Sequence, residues 1–205
     1  MKLFLASTFS DTVNLFEDKV PSGKVMFIEN PADLFKDKKW VQKDFNAFVS
    51  RGYEVVKVDL RLITAKTLKD MITSFDIIHI CGGSAIYILK LLKDKGMDTV
   101  IIDAVKAGLV YTGTSAGTMI TAPDISFGAD DEDEKEVGIV GKLKDLSALN
   151  LTPYYYMVHI QDKYYIPSTQ KAMTRLPSNK LPILFLTDDM ACWFEDNKME
   201  LLTNK

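Results

Sequence analysis

The stretch Gly113-Thr114-Ser115-Ala116-Gly117 decides how this chain reads. An apolar run, Leu109-Val110-Tyr111, precedes it and a helix-like run, Thr118-Met119-Ile120, follows it, so the pentapeptide joins a strand to a helix. Glycines two positions either side of a serine let the backbone turn sharply without a clashing Cβ. The serine hydroxyl then stands clear of the sheet. The N–H of Ala116, near a helix N-terminus, is placed to stabilise an oxyanion. Ser115 is therefore a candidate nucleophile. The same pentapeptide also serves as a plain glycine-rich turn, so the rest of the chain has to supply the other parts of a site.

Outward from this turn, strand and helix signals alternate through Ala122. Lys2–Ala6, Lys24–Ile28, Tyr53–Leu60, Asp76–Ile80 and Leu109–Thr112 read as strands, several of them almost continuously apolar, as strands covered on both faces are. Helical faces lie between them. Val41, Phe45, Phe48 and Val49 form one, stopped by Gly52; Leu68, Met71, Ile72 and Phe75 form another. Ser84–Lys95 turns Ile88, Leu91 and Leu92 inward before Gly96, and Asp98–Ala107 turns Val100, Ile101 and Val105 inward before Gly108. This rhythm predicts an α/β fold with an open, mostly parallel sheet and helices on both faces. Met157–Ile160, Pro182–Thr187, Ala191–Glu195 and Lys198–Leu202 also read as strands. The last two flank Asp196-Asn197, a hairpin signal, which predicts an antiparallel C-terminal edge. With no repeat and no linker, the 205 residues suit one domain spanning 1–205.

Composition excludes several function classes. Apolar residues make up 47% and charged residues 26%, an ordinary globular balance. A net charge of −3 leaves no basic footprint for nucleic acid. The apolar runs are strand-length, too short to span a membrane, and Met1–Ser7 lacks the apolar length of a signal peptide and reads as the first strand. Cys81 and Cys192 are too few for a disulfide framework and read as buried, reduced thiols of a cytoplasmic protein. No histidine or cysteine cluster has zinc-ligand spacing, and neither a metal nor a cofactor is expected. The acidic run within residues 129–136 reads as a solvated loop.

A serine nucleophile needs a base, and the chain has two histidines. His79 lies mid-strand and reads as a hydrogen-bonded core residue. His159 ends an apolar run just before Gln161-Asp162-Lys163, and strand ends are where side chains reach a site at a sheet edge. His159 is the better base. The orienting carboxylate is open among Asp188, Asp189, Asp124 and Asp130. Cys81-Gly82-Gly83-Ser84 lacks both the GxGxxG spacing and the Walker lysine-serine pair. As a tight strand-to-helix turn it offers the Gly83 N–H as a second oxyanion donor.

Taken in order, Asp76–Gly83, Tyr111–Gly117, Val158-His159 and Leu184–Asp189 resemble the peptidase E family of serine peptidases, which includes aspartyl dipeptidases and, more distantly, cyanophycinases. The resemblance spans nearly the whole chain. It implies a three-layer, flavodoxin-like α/β domain akin to class I glutamine amidotransferases, with serine in place of their cysteine. By matched position it implies Ser115 as nucleophile, His159 as base, and Gly83 and Ala116 as oxyanion donors. The third triad member falls on Asp188 or on Asp130; Asp188, beside a strand end, is the more rigidly held and is preferred. Two departures stand out. Cys81 and Ser84 replace residues of the family's Gly-Gly-Gly-Asn turn. Where aspartyl dipeptidases carry an arginine-rich helix, Ser168–Arg175 retains only Lys171 and Arg175 as cations, and burying a substrate aspartate without a cationic partner is costly. The expectation is a cofactor-free serine peptidase acting on short peptides, without a preference for N-terminal aspartate. Another amidase or esterase, or a non-catalytic ligand-binding member of the same fold, are the alternatives.

Overall fold

The computed structural model describes residues 1–127, 138, 143, 145–174, 181–196 and 198–204. Alternation along its strands sorts the apolar side chains into two cores. In β1 (Lys2–Ala6), Leu3 and Leu5 enter one core and Phe4 and Ala6 the other, all fully buried, because successive side chains of a strand face opposite ways. β2 (Lys24–Ile28), β4 (Ile77–Ile80) and β5 (Val110–Thr114) are buried along almost their whole length. With β3 (Glu54–Lys57), β8 (Met190–Glu195) and β9 (Lys198–Thr203) they form a seven-stranded sheet in the order β3-β2-β4-β5-β1-β8-β9. The first five strands of that order are parallel, and β8 and β9 run antiparallel as the expected hairpin edge. Helices α1 (Phe9–Lys19) and α2 (Lys39–Ser50) cover the Phe4 face. The opposite face carries α3 (Ala65–Ile72), α4 (Ala85–Asp94) and α5 (Met97–Lys106). The α/β architecture, with a mostly parallel sheet, helices on both faces and a C-terminal hairpin, is the one expected.

Three details differ from that reading. Helix α1 is absent from it, although Phe9, Val13 and Phe16 recur at helical spacing and are buried. Strand β3 stops at Lys57 rather than Leu60, because Asp59 turns the chain by accepting hydrogen bonds from the backbone and side chain of Arg61. The segment expected at 157–160 is β6, Tyr155–Met157, and it does not extend the main sheet. It pairs in parallel with β7 (Ile183–Phe185) as a separate two-stranded sheet. β6 ends early because His159 adopts φ +56°, outside extended backbone. The short helix α6 (Ala116–Met119) packs against β4, β5 and β6. Among the described residues no helix is long and apolar enough to cross a membrane.

Candidate active site

Close packing explains the turn around Ser115. A Cβ on Gly117 would lie 2.0 Å from the Ile80 carbonyl oxygen, and one on Gly113 would lie 2.6 Å from the Gly117 backbone. Only glycine lets α6 press this closely onto β4 and β5. Thr118 ties the crossing together, its hydroxyl donating to the carbonyls of Ala6 and Gly113, and Tyr111 donates to the Gly117 carbonyl at 2.6 Å. Ser115, at the end of β5, is driven to φ +50°, ψ −108°, a conformation that costs a non-glycine residue about 1–3 kcal/mol.

Several chain segments far apart in sequence meet around this serine. Beside it lies the Gly82-Gly83 turn that follows β4; a Cβ on Gly83 would lie 2.2 Å from the Pro31 carbonyl oxygen, and Gly83 has φ +146°. Trp40 of α2 donates to the Gly82 carbonyl at 3.1 Å. Among the described residues no hydrogen bond uses the backbone N–H of Gly83 or of Ala116.

His159 follows β6, and Asp188 lies between β7 and β8. Their Nδ1 and Oδ1 atoms are 2.6 Å apart. The same carboxylate oxygen accepts from the hydroxyls of Ser7 at 2.8 Å and Thr8 at 3.0 Å, just beyond β1. The Ser7 hydroxyl in turn accepts the backbone N–H of His159 at 2.8 Å. Burial works to raise the pKa of Asp188. The Ser7 hydrogen bond, the His159 ring and Thr8 outweigh it and hold the carboxyl below its usual range. An ionised Asp188 makes Nδ1 the protonated nitrogen, which leaves Nε2 as the ring's acceptor. Tyr165, at the N-cap of α7 (Ile166–Met173), stacks on the His159 ring with centroids 4.8 Å apart.

Ser115, His159, Asp188 and Gly83 line one cavity of about 820 Å³. Its walls carry aromatic rings from Phe35, Trp40, Phe127, Tyr156, Tyr164 and Tyr165. Asp11, Asp44, Asp162, Lys43 and Lys171 also line it. The other sequence candidates are elsewhere. Asp124 bonds Tyr155 at 2.6 Å and Ser126, and Asp189 is held by Thr187 and Asn204. Asp130, Arg175 and the acidic run lie outside the described residues. Both cysteines are free and buried; burial pushes the Cys81 thiol well up and that of Cys192 to about 12, so neither is an activated nucleophile. His79 is a core residue, but it lacks the hydrogen bond expected of it. Sequence reasoning missed Ser7, Thr8 and Tyr165. The polar pair Ser7-Thr8 directly after an apolar strand was the available signal for two of them.

This geometry coincides with several likenesses. The model of Peptidase family S51 matches residues 4–202. An uncharacterized peptidase of Pasteurella multocida is 30% identical over 187 residues, covering 89% of this chain and 87% of that protein. An uncharacterized peptidase of Listeria monocytogenes is 30% identical over 176 residues, covering 84% of each. A crystal structure of a Listeria monocytogenes protein assigned to peptidase E superposes with a TM-score of 0.88 at 24% identity, over 100% of this chain and 98% of that one. A peptidase structure from an acI-B1 actinobacterium shares the fold with a TM-score of 0.68 at 15% identity, over 99% of this chain and 87% of that one. The chain, a hydrolase acting as a serine peptidase, belongs to peptidase family S51.

Proposed function

We propose that the protein hydrolyses short peptides through an acyl-enzyme, with Ser115 as nucleophile, His159 as base and Asp188 as the carboxylate that orients it. Ser115 Oγ attacks the scissile carbonyl carbon while His159 Nε2 takes the hydroxyl proton. The carbonyl electron pair moves onto oxygen, where the N–H groups of Gly83 and Ala116 receive it. Collapse of the tetrahedral intermediate breaks the C–N bond, and His159 returns the proton to the leaving amine. Water then attacks the ester by the same route and frees Ser115. Throughout, Asp188 stays ionised and holds the Nδ1–H. Ser7 and Tyr165 support the reading by fixing the imidazole from its backbone and from its face.

The observation that carries this reading is the 2.6 Å contact between Asp188 and His159 Nδ1, on the wall of the cavity that Ser115 also lines. The cavity volume suits a small peptide, and the free cysteines are consistent with a reducing, cytoplasmic setting. Labelling with a fluorophosphonate probe followed by peptide mapping tests the nucleophile without knowledge of the substrate. The expected result is modification of Ser115, abolished in Ser115→Ala with the circular dichroism spectrum unchanged. Modification at another serine would refute the assignment.

A further inference from the structure

On the α1–α2 side of the sheet, beneath the Ser115 turn, a second set of chemistry-bearing side chains comes together. His79 and Cys81 are two residues apart along the β4 segment, so they leave the same face. Asp44 reaches them from α2. A carboxylate oxygen, a ring nitrogen and the Sγ atom of these three residues lie within 4.8 Å of one another, and all three residues are buried. His79 Nε2 stops 3.6 Å from Asp44 Oδ2, too far for a hydrogen bond, and neither ring nitrogen of His79 has a partner. The hydroxyl of Thr112, whose residue pairs with His79 across the strands, is also unpartnered. Among the described residues, the orphaned buried side-chain polar atoms all belong to this cross-strand pair. Such atoms are rare in folded proteins and call for a partner. The aromatic rings of Phe9, Phe27 and Phe48, with centroids 4.9, 5.0 and 5.1 Å from that of His79, cannot provide a conventional one.

We propose that Asp44, His79 and Cys81 form a binding site for one divalent, borderline-soft transition-metal ion, Zn²⁺ being the best match. Carboxylate, imidazole and thiolate are the three ligand types zinc takes, and hard cations such as Mg²⁺ or Ca²⁺ avoid thiolate. One carboxylate and one thiolate neutralise the two positive charges, so the bound cluster is neutral, as a low-dielectric core requires. The ligand atoms close in by roughly 1 Å to surround an ion at zinc–ligand distances. The Asp44 carboxylate is already oriented by the Ser10 backbone N–H at 3.0 Å and the Thr114 hydroxyl at 2.9 Å, outer contacts of the kind that fix metal ligands. Asp44 also lines the active-site cavity, which provides the ion's route from solvent. Bound there, the ion ties α2 to β4 next to Thr114, the residue before Ser115. The proposal stands on this buried cluster and is independent of the peptidase mechanism.

The test uses the full chain, stripped with a chelator and titrated with Co²⁺ as the spectroscopic probe. Uptake of one equivalent per chain is expected, with a thiolate-to-cobalt charge-transfer band in the near ultraviolet and displacement by Zn²⁺. Zn²⁺ is also expected to raise the thermal midpoint of the stripped protein, since only the folded chain assembles the ligands. Cys81→Ser removes the band, His79→Gln, which removes a direct ligand, weakens Co²⁺ binding by at least the roughly 10–100-fold that losing an outer contact costs, and Cys192→Ser, which replaces the other buried thiol, leaves the band intact. Absence of stoichiometric uptake by the unmodified chain overturns the proposal. So does uptake without the charge-transfer band, which marks surface binding, or a band that survives Cys81→Ser or disappears in Cys192→Ser. If Cys81→Ser does not fold, the titrations of the unmodified chain and of Cys192→Ser decide.

Discussion

At the scale of single residues, Asp188 is the point on which three hydroxyl or ring donors converge. Asn in its place keeps the shape but presents an amide where an anion is needed, so His159 loses the partner that fixes its tautomer. Asp188→Asn is expected to lower kcat by up to about 10⁴ with KM little changed, read by steady-state kinetics on a peptide amide. The same carboxylate links stability to pH. Its folded pKa lies below its unfolded value of about 3.9. Its contribution is therefore complete above that unfolded value and is lost as pH falls through the depressed folded value. Urea midpoints measured from about pH 6 downward are expected to fall less steeply in Asp188→Asn than in the unmodified protein. Equal slopes would show that the folded site does not hold the Asp188 carboxyl below its unfolded range.

At the scale of elements, the crossing of α6 over β4 and β5 separates backbone strain from steric exclusion. Gly52, at the end of α2, has φ +80°, and a Cβ added there would meet nothing within 4 Å. Gly52→Ala therefore carries only the left-handed penalty, about 1–2 kcal/mol. Gly117→Ala places a Cβ 2.0 Å from the Ile80 carbonyl, which backbone cannot absorb without lifting α6. It is expected to cost about 3 kcal/mol or more and to abolish fluorophosphonate labelling. Chemical denaturation of the two variants side by side reads the difference, and similar midpoints would show that α6 is free to shift.

At the scale of the whole molecule, the serine and its partners sit on different sheets. Ser115 ends a strand of the main sheet, whereas His159 and Asp188 follow β6 and β7. Leu186, directly after β7, is fully buried, and its N–H bonds the Met157 carbonyl at 2.8 Å. Leu186→Ala is expected to cost about 2–5 kcal/mol and to lower kcat more than it changes KM, as a loosened β6–β7 pair misplaces the imidazole; unchanged kcat would refute that linkage. The cavity itself is assembled from segments far apart in the chain. Aromatic residues line it, and among the charged lining residues Asp11, Asp44, Asp162 and Asp188 outnumber Lys43 and Lys171, a balance that disfavours a further carboxylate. Asp-initiated chromogenic amides are therefore expected to be cleaved no faster than Leu- or Ala-initiated ones. A tenfold preference for Asp, about 1.4 kcal/mol in transition-state binding, would show that Lys43, Lys171 or Arg175 acts as a fixed cation for the substrate.

Local rules were enough for much of this. The two glycines of the Ser115 turn, the alternation in β1, the buried runs of β2, β4 and β5, and the hairpin around Asp196 all depend on neighbours within a few residues, so they were legible in the sequence. Ser115 and His159 stood out for the same reason, each at the end of an apolar run. What the chain order could not convey was pairing across distance. β6 and β7 form their own sheet. Asp188, preferred through the family resemblance and its place beside a strand end and not through any pairing signal, contacts His159 from 29 residues away. Ser7 and Thr8, just after the first strand, brace that pair from more than 150 residues away. These are outcomes of packing between distant segments, which no local pattern encodes. The gathering of Asp44, His79 and Cys81 belongs to the same class. Their spacing resembles no metal motif, and only the closure of α2 onto β4, driven by burial of aromatic side chains, brings their polar atoms together.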